Sequence, residues 1–416
     1  MENRDDRKVS AELDQALIRG LTESRISRRG VLGLAGGAAL SGLLAACGIG
    51  GSSSSSSSSG FNWASQKKTG VLNFANWPLY IDQNTVNGKT VYPSLEKFTK
   101  EFGIKVNYSE VIQGNHSFFG KIEPELKANK STGYDLMVIT DGTVLSSLID
   151  FGWLIPLDHS LLPNFAKYAS PAVSNPSYDP GNKYTVAWQS GFTGIAYNPE
   201  LTGREITSIA DLFDPAFAGK VGMLNASDTG NLMMIYQGVI PSKSTVADWK
   251  AAAKLLIEQK SKGIVRKYYQ QDYISALTRG DLAISMAYSG DIFQANQSTS
   301  GLGSKLKFVI PKEGIVQWTD NMCIPAQAAD PLSAITYMNY VYEPPIAAML
   351  TEYINYITPV PASKSIIAAS PGNSYLVDSP LIFPDSKVLS KAYYNVVKNQ
   401  AQEQVWNSIF QPIFQA

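Results

Sequence analysis

The sequence predicts an α/β protein of two lobes, each a mostly parallel sheet flanked by helices. Strand, helix, strand, helix, strand is the order read between residues 71 and 139, and a second strand–helix series begins near residue 220. The chain is 44% hydrophobic and 17% charged, and from about Phe61 it is long enough for two ordinary domains with ample core. Residues 71–75 read as a buried strand ending at Asn76-Trp77-Pro78. Residues 94–102 have helical spacing, 104–108 alternate as a strand, and 121–129 are helical again. The near-continuous apolar run at 134–139 suits a parallel strand covered on both faces. The second series comprises a strand at 220–224, helices at 246–262 and 272–279, and a strand at 282–287. Residues 306–310 read as a strand, and 331–342, 345–353 and 386–410 as helices.

The first 69 residues carry a different signal. Arg28 and Arg29 precede a weakly apolar run from Val31 to Ala46, as in a twin-arginine export signal. Leu44-Ala45-Ala46-Cys47 resembles a bacterial lipobox, in which cleavage exposes Cys47 for lipidation. The alternative, a short transmembrane helix, needs roughly 20 apolar residues and few glycines. Ser52 to Ser59 run without interruption and have nothing apolar to bury, so residues 48–69 are expected to tether a body outside the membrane.

Charge excludes attraction to nucleic acid by net field, since 35 basic residues stand against 35 acidic ones. Removing residues 1–47 leaves 28 against 29. With Cys47 lipidated, Cys323 has no disulfide partner and reads as a small buried hydrophobe. The two histidines, His116 and His159, stand far apart, and no metal-binding, nucleophile-elbow or phosphate-loop motif occurs. Gly120-Lys121 and Gly219-Lys220 read as turns, and His159 as a surface neighbour of a helix cap.

What recurs is an aromatic ring near a predicted strand end, in two sets with a carboxylate beside it: Trp77 with Tyr80, Tyr288 with Asp291, and Trp318 with Asp320. Ligands of open α/β sheets sit outside the carboxyl ends of strands, so these sets can converge in one crevice. Alternatively the rings fill core. Converged, they suit a linear cation: ring faces lie along methylenes and attract ammonium groups, and carboxylates accept charge-assisted hydrogen bonds.

At these residues the chain resembles the periplasmic spermidine/putrescine-binding proteins, the substrate-binding components of polyamine ABC transporters. The resemblance runs from about Val71 to the end. It includes Asn73-Phe74-Ala75-Asn76-Trp77-Pro78-Leu79-Tyr80, Gly152-Trp153-Leu154-Ile155-Pro156-Leu157-Asp158, Tyr288-Ser289-Gly290-Asp291 and Trp318-Thr319-Asp320. It implies a type II periplasmic-binding-protein fold whose lobes are joined by crossover strands and close on ligand. Lobe 1 would hold residues 70–188 and 291–326, and lobe 2 residues 189–290 and 327–416, with residues 187–191 and the region around Asp291 near the hinge. Carried over, Trp77 and Tyr80 match a ring pair, Thr140 a serine, Tyr288 a tryptophan, and Asp291 and Asp320 the family's acids. Trp318 flanks Asp320, and Tyr268 or Tyr269 falls near another aromatic. Two positions depart: Leu79 stands where relatives often carry an acid, and 226–230 (Ala-Ser-Asp-Thr-Gly) leaves Asp228 as its only acid.

The implied function is non-catalytic. A monomer without cofactor or metal would capture a small cationic solute, a polyamine, and pass it to a membrane permease driven by an ATPase, while held to the membrane by its lipid. The departures keep open a binder of the same fold for another small solute. Twin-arginine export, which often carries prefolded cofactor enzymes, keeps open an exported enzyme.

Overall fold

The structure is a computed structural model and describes residues 61–297 and 306–415. The arginine pair, Cys47 and the serine run lie outside the described residues. β1 (Val71–Asn76) buries Leu72, Phe74 and Ala75, and pairs in parallel with β4 (Lys105–Glu110) and β5 (Leu136–Thr140). Between them β2 (Asn84–Val86) and β3 (Lys89–Val91) form a separate exposed hairpin. β6 (Thr185–Tyr197) is a strand of 13 residues, buried throughout. In the second half, β7 (Val221–Leu224) pairs in parallel with β8 (Val265–Tyr269) and β9 (Ile284–Tyr288). β10 (Lys307–Val309) adds to β6, and β11 (Ile315–Cys323) runs antiparallel to both β6 and β5. β12 (Ala392–Tyr394) lies parallel to the start of β11.

One path through the sheet therefore reads β4-β1-β5-β11-β6-β9-β7-β8. β6 and β11 are long because each belongs to both halves. Thr185 to Gln189 pair with Asp320 to Cys323 beside β5, whereas Thr193 to Tyr197 pair with β9. The register slips where the halves meet, leaving Trp188 as an extra residue of β6 next to the Asp320/Asn321 step. Such a bulge re-aims the flanking side chains.

Helix placement corrects several expectations. Residues 386–410 are not one helix: a turn at Ser386–Leu389 leads into β12, and the helix proper is Gln400–Gln415. Ala392, Tyr393 and Tyr394 pair with Ile315, Val316 and Gln317 of β11, a pairing that helical spacing conceals. Gly120 lies within the helix Asn115–Lys127 rather than in a turn. The core is divided into clusters, and these depart from the expected boundaries. Ile335, Tyr337, Leu350 and Val360 pack with Leu72 and Phe74 in the first lobe, while Ile292 and Leu306 pack with the second. The chain crosses between lobes once more than the two strands imply, near Tyr356, where Ile357 bridges to Ser190. Residues 61–69 pack on the first lobe instead of belonging to a tether. The Trp63 ring N–H donates to the Pro156 carbonyl at 3.0 Å, and Thr69 N–H to Asp330 at 2.6 Å.

Candidate functional site

Where β6 and β11 pass between the lobes, carboxylates and rings converge. Asp320, on β11, is 5% exposed. The Tyr80 hydroxyl donates to its Oδ2 at 2.7 Å, and the Thr140 hydroxyl to its Oδ1 at 2.6 Å. Tyr80 comes from the turn after β1, and Thr140 is the last residue of β5. Both stand at carboxyl ends of parallel strands, as the sheet rule requires. From the second lobe, Asp291 lies in the first turn of the helix Ser289–Gln297, and Asp228 in that of Ser227–Tyr236. Asp291 accepts from the Tyr273 hydroxyl at 2.6 Å and the Tyr356 hydroxyl at 2.8 Å. Asp228 accepts from Thr193, which in turn receives the Trp318 ring N–H at 3.1 Å.

The rings interlock around these acids. Tyr80 meets Tyr356 edge-on at 5.7 Å, Tyr356 meets Trp318 at 5.3 Å, and Trp318 meets Tyr288 at 5.9 Å. Two glycines make this packing possible. A Cβ on Gly191 would come within 2.4 Å of the Trp318 ring, and one on Gly290 within 2.4 Å of Tyr356. Gln189, paired across from Asp320 and 2% exposed, has a side-chain oxygen without a hydrogen-bond partner among the described residues.

Burial raises every one of these acids. It lifts Asp320 to about 6, against the lowering effect of the two hydroxyls, with Asp228 adding repulsion. Asp291 and Asp228 are raised by the same burial, and their hydroxyl partners oppose it. Asp141, one residue past β5, is pushed by burial to about 8, with repulsion from Asp320 and Asp228. Tyr288 feels all three of Asp228, Asp291 and Asp320, and its own proton is held well above the ordinary range, chiefly by burial. Four acids thus crowd one buried region. A cation placed among them would restore their ionised forms and satisfy carboxylate lone pairs.

Tyr288, Asp291, Trp318 and Asp320 come together with Tyr80 as their pattern anticipates, joined by Thr140 and Asp228, which the resemblance alone implied. Trp77 and Tyr269 do not join this network. The Trp77 ring is half-buried, donates to the Val138 carbonyl at 3.1 Å, and packs on both first-lobe clusters, so truncating it would cost stability as well as any ligand contact. Tyr269 is buried at the end of β8, with Lys267 over its ring at 4.9 Å and Arg266 and Asp272 as further charged neighbours. Tyr273, Tyr356, Thr193, Gln189 and Asp141 escaped sequence reasoning. Tyr273 follows Asp272 and fits the ring-beside-acid pattern, but Asp291 is its actual partner; Tyr356 carries no such signal. Gly230 has a packing reason for lacking a side chain: a Cβ there would lie 2.6 Å from Trp406 of the C-terminal helix. Cys323 is fully buried and free. His159 is exposed and follows the capping Asp158. Among the described residues no group of three or more His, Cys, Asp and Glu side chains could hold a metal ion, and no helix is long and apolar enough to cross a membrane.

One sheet whose strands β6 and β11 are shared by both halves, with rings and acids gathered where they pass between them, defines a two-lobed solute-binding protein. Comparison with known proteins gives the family. The model for bacterial extracellular solute-binding proteins matches residues 94–373, and the chain belongs to that family. The putrescine-binding periplasmic protein SpuD of Pseudomonas aeruginosa is 30% identical over 338 residues, 78% of this chain and 86% of that one. Spermidine/putrescine-binding periplasmic protein 1 of Haemophilus influenzae is 30% identical over 302 residues, 72% of this chain and 79% of its own. In fold, the spermidine/putrescine substrate-binding protein PotD of Streptococcus pneumoniae aligns with a TM-score of 0.69 at 22% identity, covering 83% of this chain and 98% of that structure.

Proposed function

We propose that this protein is an exported, lipid-anchored receptor that captures a polyamine of the putrescine or spermidine type between its lobes and delivers it to an ABC importer. The observation that carries the reading is the pair Asp291 and Asp320. Each accepts two hydrogen bonds from neutral hydroxyls, in an aromatic enclosure that also receives Asp228. An enclosure that raises its own acids favours a ligand bearing positive charge, and ring walls favour methylenes between the charges. The names of the matched relatives support the same ligand class. Binding is non-catalytic: closed lobes are populated because the ligand contacts both lobes at once, and that differential affinity is the driving force for closure. Anchoring rests on Leu44-Ala45-Ala46-Cys47 and the serine run, and delivery implies a permease and its ATPase as partners.

The deciding experiment is a thermal-shift screen of residues 61–416 against putrescine, cadaverine, spermidine, amino acids and sugars, followed by calorimetric titration. A hundredfold excess over the dissociation constant stabilises by about 2.7 kcal/mol. Stabilisation by amines alone is the expected result. Stabilisation by a neutral or anionic solute instead would assign the cleft to another ligand, an outcome that Leu79 and Gly230 make specific.

A further inference from the structure

A buried lysine already stands near the second-lobe acid Asp228. Lys398 follows β12 and is 3% exposed on its side chain. Its ammonium lies 3.5 Å from the Glu403 carboxylate, donates to the Val396 carbonyl at 3.3 Å, and sits over the Trp406 ring at 4.4 Å from the centroid. Carboxylate, carbonyl and ring face are what a polyamine amine would seek, here satisfied by the chain itself. Burial pulls the lysine below its ordinary value, and Glu403 and Asp228 oppose that. Glu403 in turn is held down to about 2, against its own burial, by His116, Lys398 and Thr143.

Its position relative to the acids gives the lysine a consequence for the ligand. Lys398 and Glu403 line a cavity together with Thr140, Asp141 and Ser227. Thr140 is bonded to Asp320, and Ser227 precedes Asp228, so the cavity extends from the acid cluster toward the C-terminal segment. Asp228 takes hydrogen bonds from Thr193 and Asn395 and is stabilised in its ionised form by Lys398. The segment after β12 thus brings to Asp228 both a hydrogen-bond donor and a counter-charge.

We infer that Lys398 determines ligand length: as a built-in ammonium at the second-lobe end of the cleft, it leaves Asp291 and Asp320 as the pair for a ligand with two amines and repels a third. This inference rests on the amine-binding reading above. A diamine needs two carboxylates across its methylenes, which Asp291 and Asp320 supply. A triamine reaching into the cavity would set its last ammonium beside that of Lys398, in surroundings where like charges repel far more than in water.

Calorimetric titration with putrescine, cadaverine, spermidine and N-acetylspermidine tests it. The wild type should bind the two diamines at least about tenfold more tightly than spermidine. Lys398→Met leaves Asp228 without its cation and should strengthen spermidine by about tenfold or more relative to putrescine, while Lys398→Arg keeps the wild-type order. N-acetylspermidine carries one charge fewer at greater length and should bind the wild type more tightly than spermidine. That arm needs no substitution, so it decides the matter even where Lys398→Met does not fold. Spermidine bound by the wild type as tightly as putrescine, a preference unchanged in folded Lys398→Met, or acetylation that weakens binding would each overturn the inference. Failure of every amine to bind the wild type would instead refute the amine-binding reading itself.

Discussion

Asp320→Asn separates binding from folding in a single substitution. The wild-type carboxylate is 5% exposed and bonded to Tyr80 and Thr140, and its folded pKa is about 6 against an ordinary 3.8. An acid raised by folding destabilises the native state once it ionises. Without ligand, that stability is present below about 4 and is lost as pH rises through about 6. The rise of roughly two units corresponds to about 3 kcal/mol at most. Asparagine has no charge to bury and can still accept one hydroxyl, so the ligand-free variant at pH 8 should melt at or above the wild-type temperature. Ligand binding responds in the opposite direction. A bound ammonium that loses its buried carboxylate keeps its desolvation cost, and the loss is about 3–5 kcal/mol. At about 1.4 kcal/mol per tenfold, putrescine affinity should fall by two to three and a half orders of magnitude. Titration calorimetry and differential scanning calorimetry at pH 8 read both quantities. An affinity within about threefold of the wild type, or a lowered melting temperature with binding intact, would make Asp320 a packing residue and remove it from the amine site.

Three further outcomes follow from the same geometry and sequence. Gly290→Ala drives a methyl to within 2.4 Å of the Tyr356 ring, and the displaced ring should cost about 1–3 kcal/mol of stability and loosen its bond to Asp291, read by denaturant unfolding and titration. Glu403→Gln weakens a contact between lobes, because Glu403 accepts from Thr143 at 2.8 Å and pairs with His116 at 3.2 Å. Its depressed pKa contributes stability that is full above about 4.5 and lost as pH falls toward 2, so the deficit of the variant, about 1–2 kcal/mol after allowing for partial solvent access, should close over that range in pH-dependent melts. Cys47→Ser should leave uncut precursor or release the protein from membranes; unchanged membrane retention and lipid labelling would end the lipobox reading.

Much of the site was legible because aromatic–acid sets lie beside strand ends, and strand ends are where a parallel sheet opens. Tyr288 with Asp291 and Trp318 with Asp320 needed only that rule. Trp77 also stands beside a strand end, though without an acid, and its ring N–H was claimed by Val138, since a side chain after a strand can turn back onto the sheet as readily as toward the acids. Tyr356 and Lys398 were beyond reach of the pattern. Tyr356 bonds to Asp291, 65 positions away, and Lys398, whose direct partners Glu403 and Trp406 are close in sequence, reaches Asp228 only through the fold.

Local sequence determined the α/β class and the strands β1, β4, β5, β7, β9 and β10 with several of their helices, because apolar periodicity and turn residues act over a few residues at a time. The two-lobe division was legible for the same reason, in the restart of strand–helix order near Val221. Tertiary structure alone decided that residues 185–197 and 315–323 form the long shared strands β6 and β11, that residues 331–360 return to the first lobe, and that Ala392 to Tyr394 form a strand rather than part of a helix. It also decided that Gly191 and Gly290 must lack side chains and that a buried lysine pairs with Glu403 near Asp228. These are long-range matters of which surfaces meet. Burial, and with it the displacement of Asp141 and Asp320 from ordinary carboxylates, exists only once they have met.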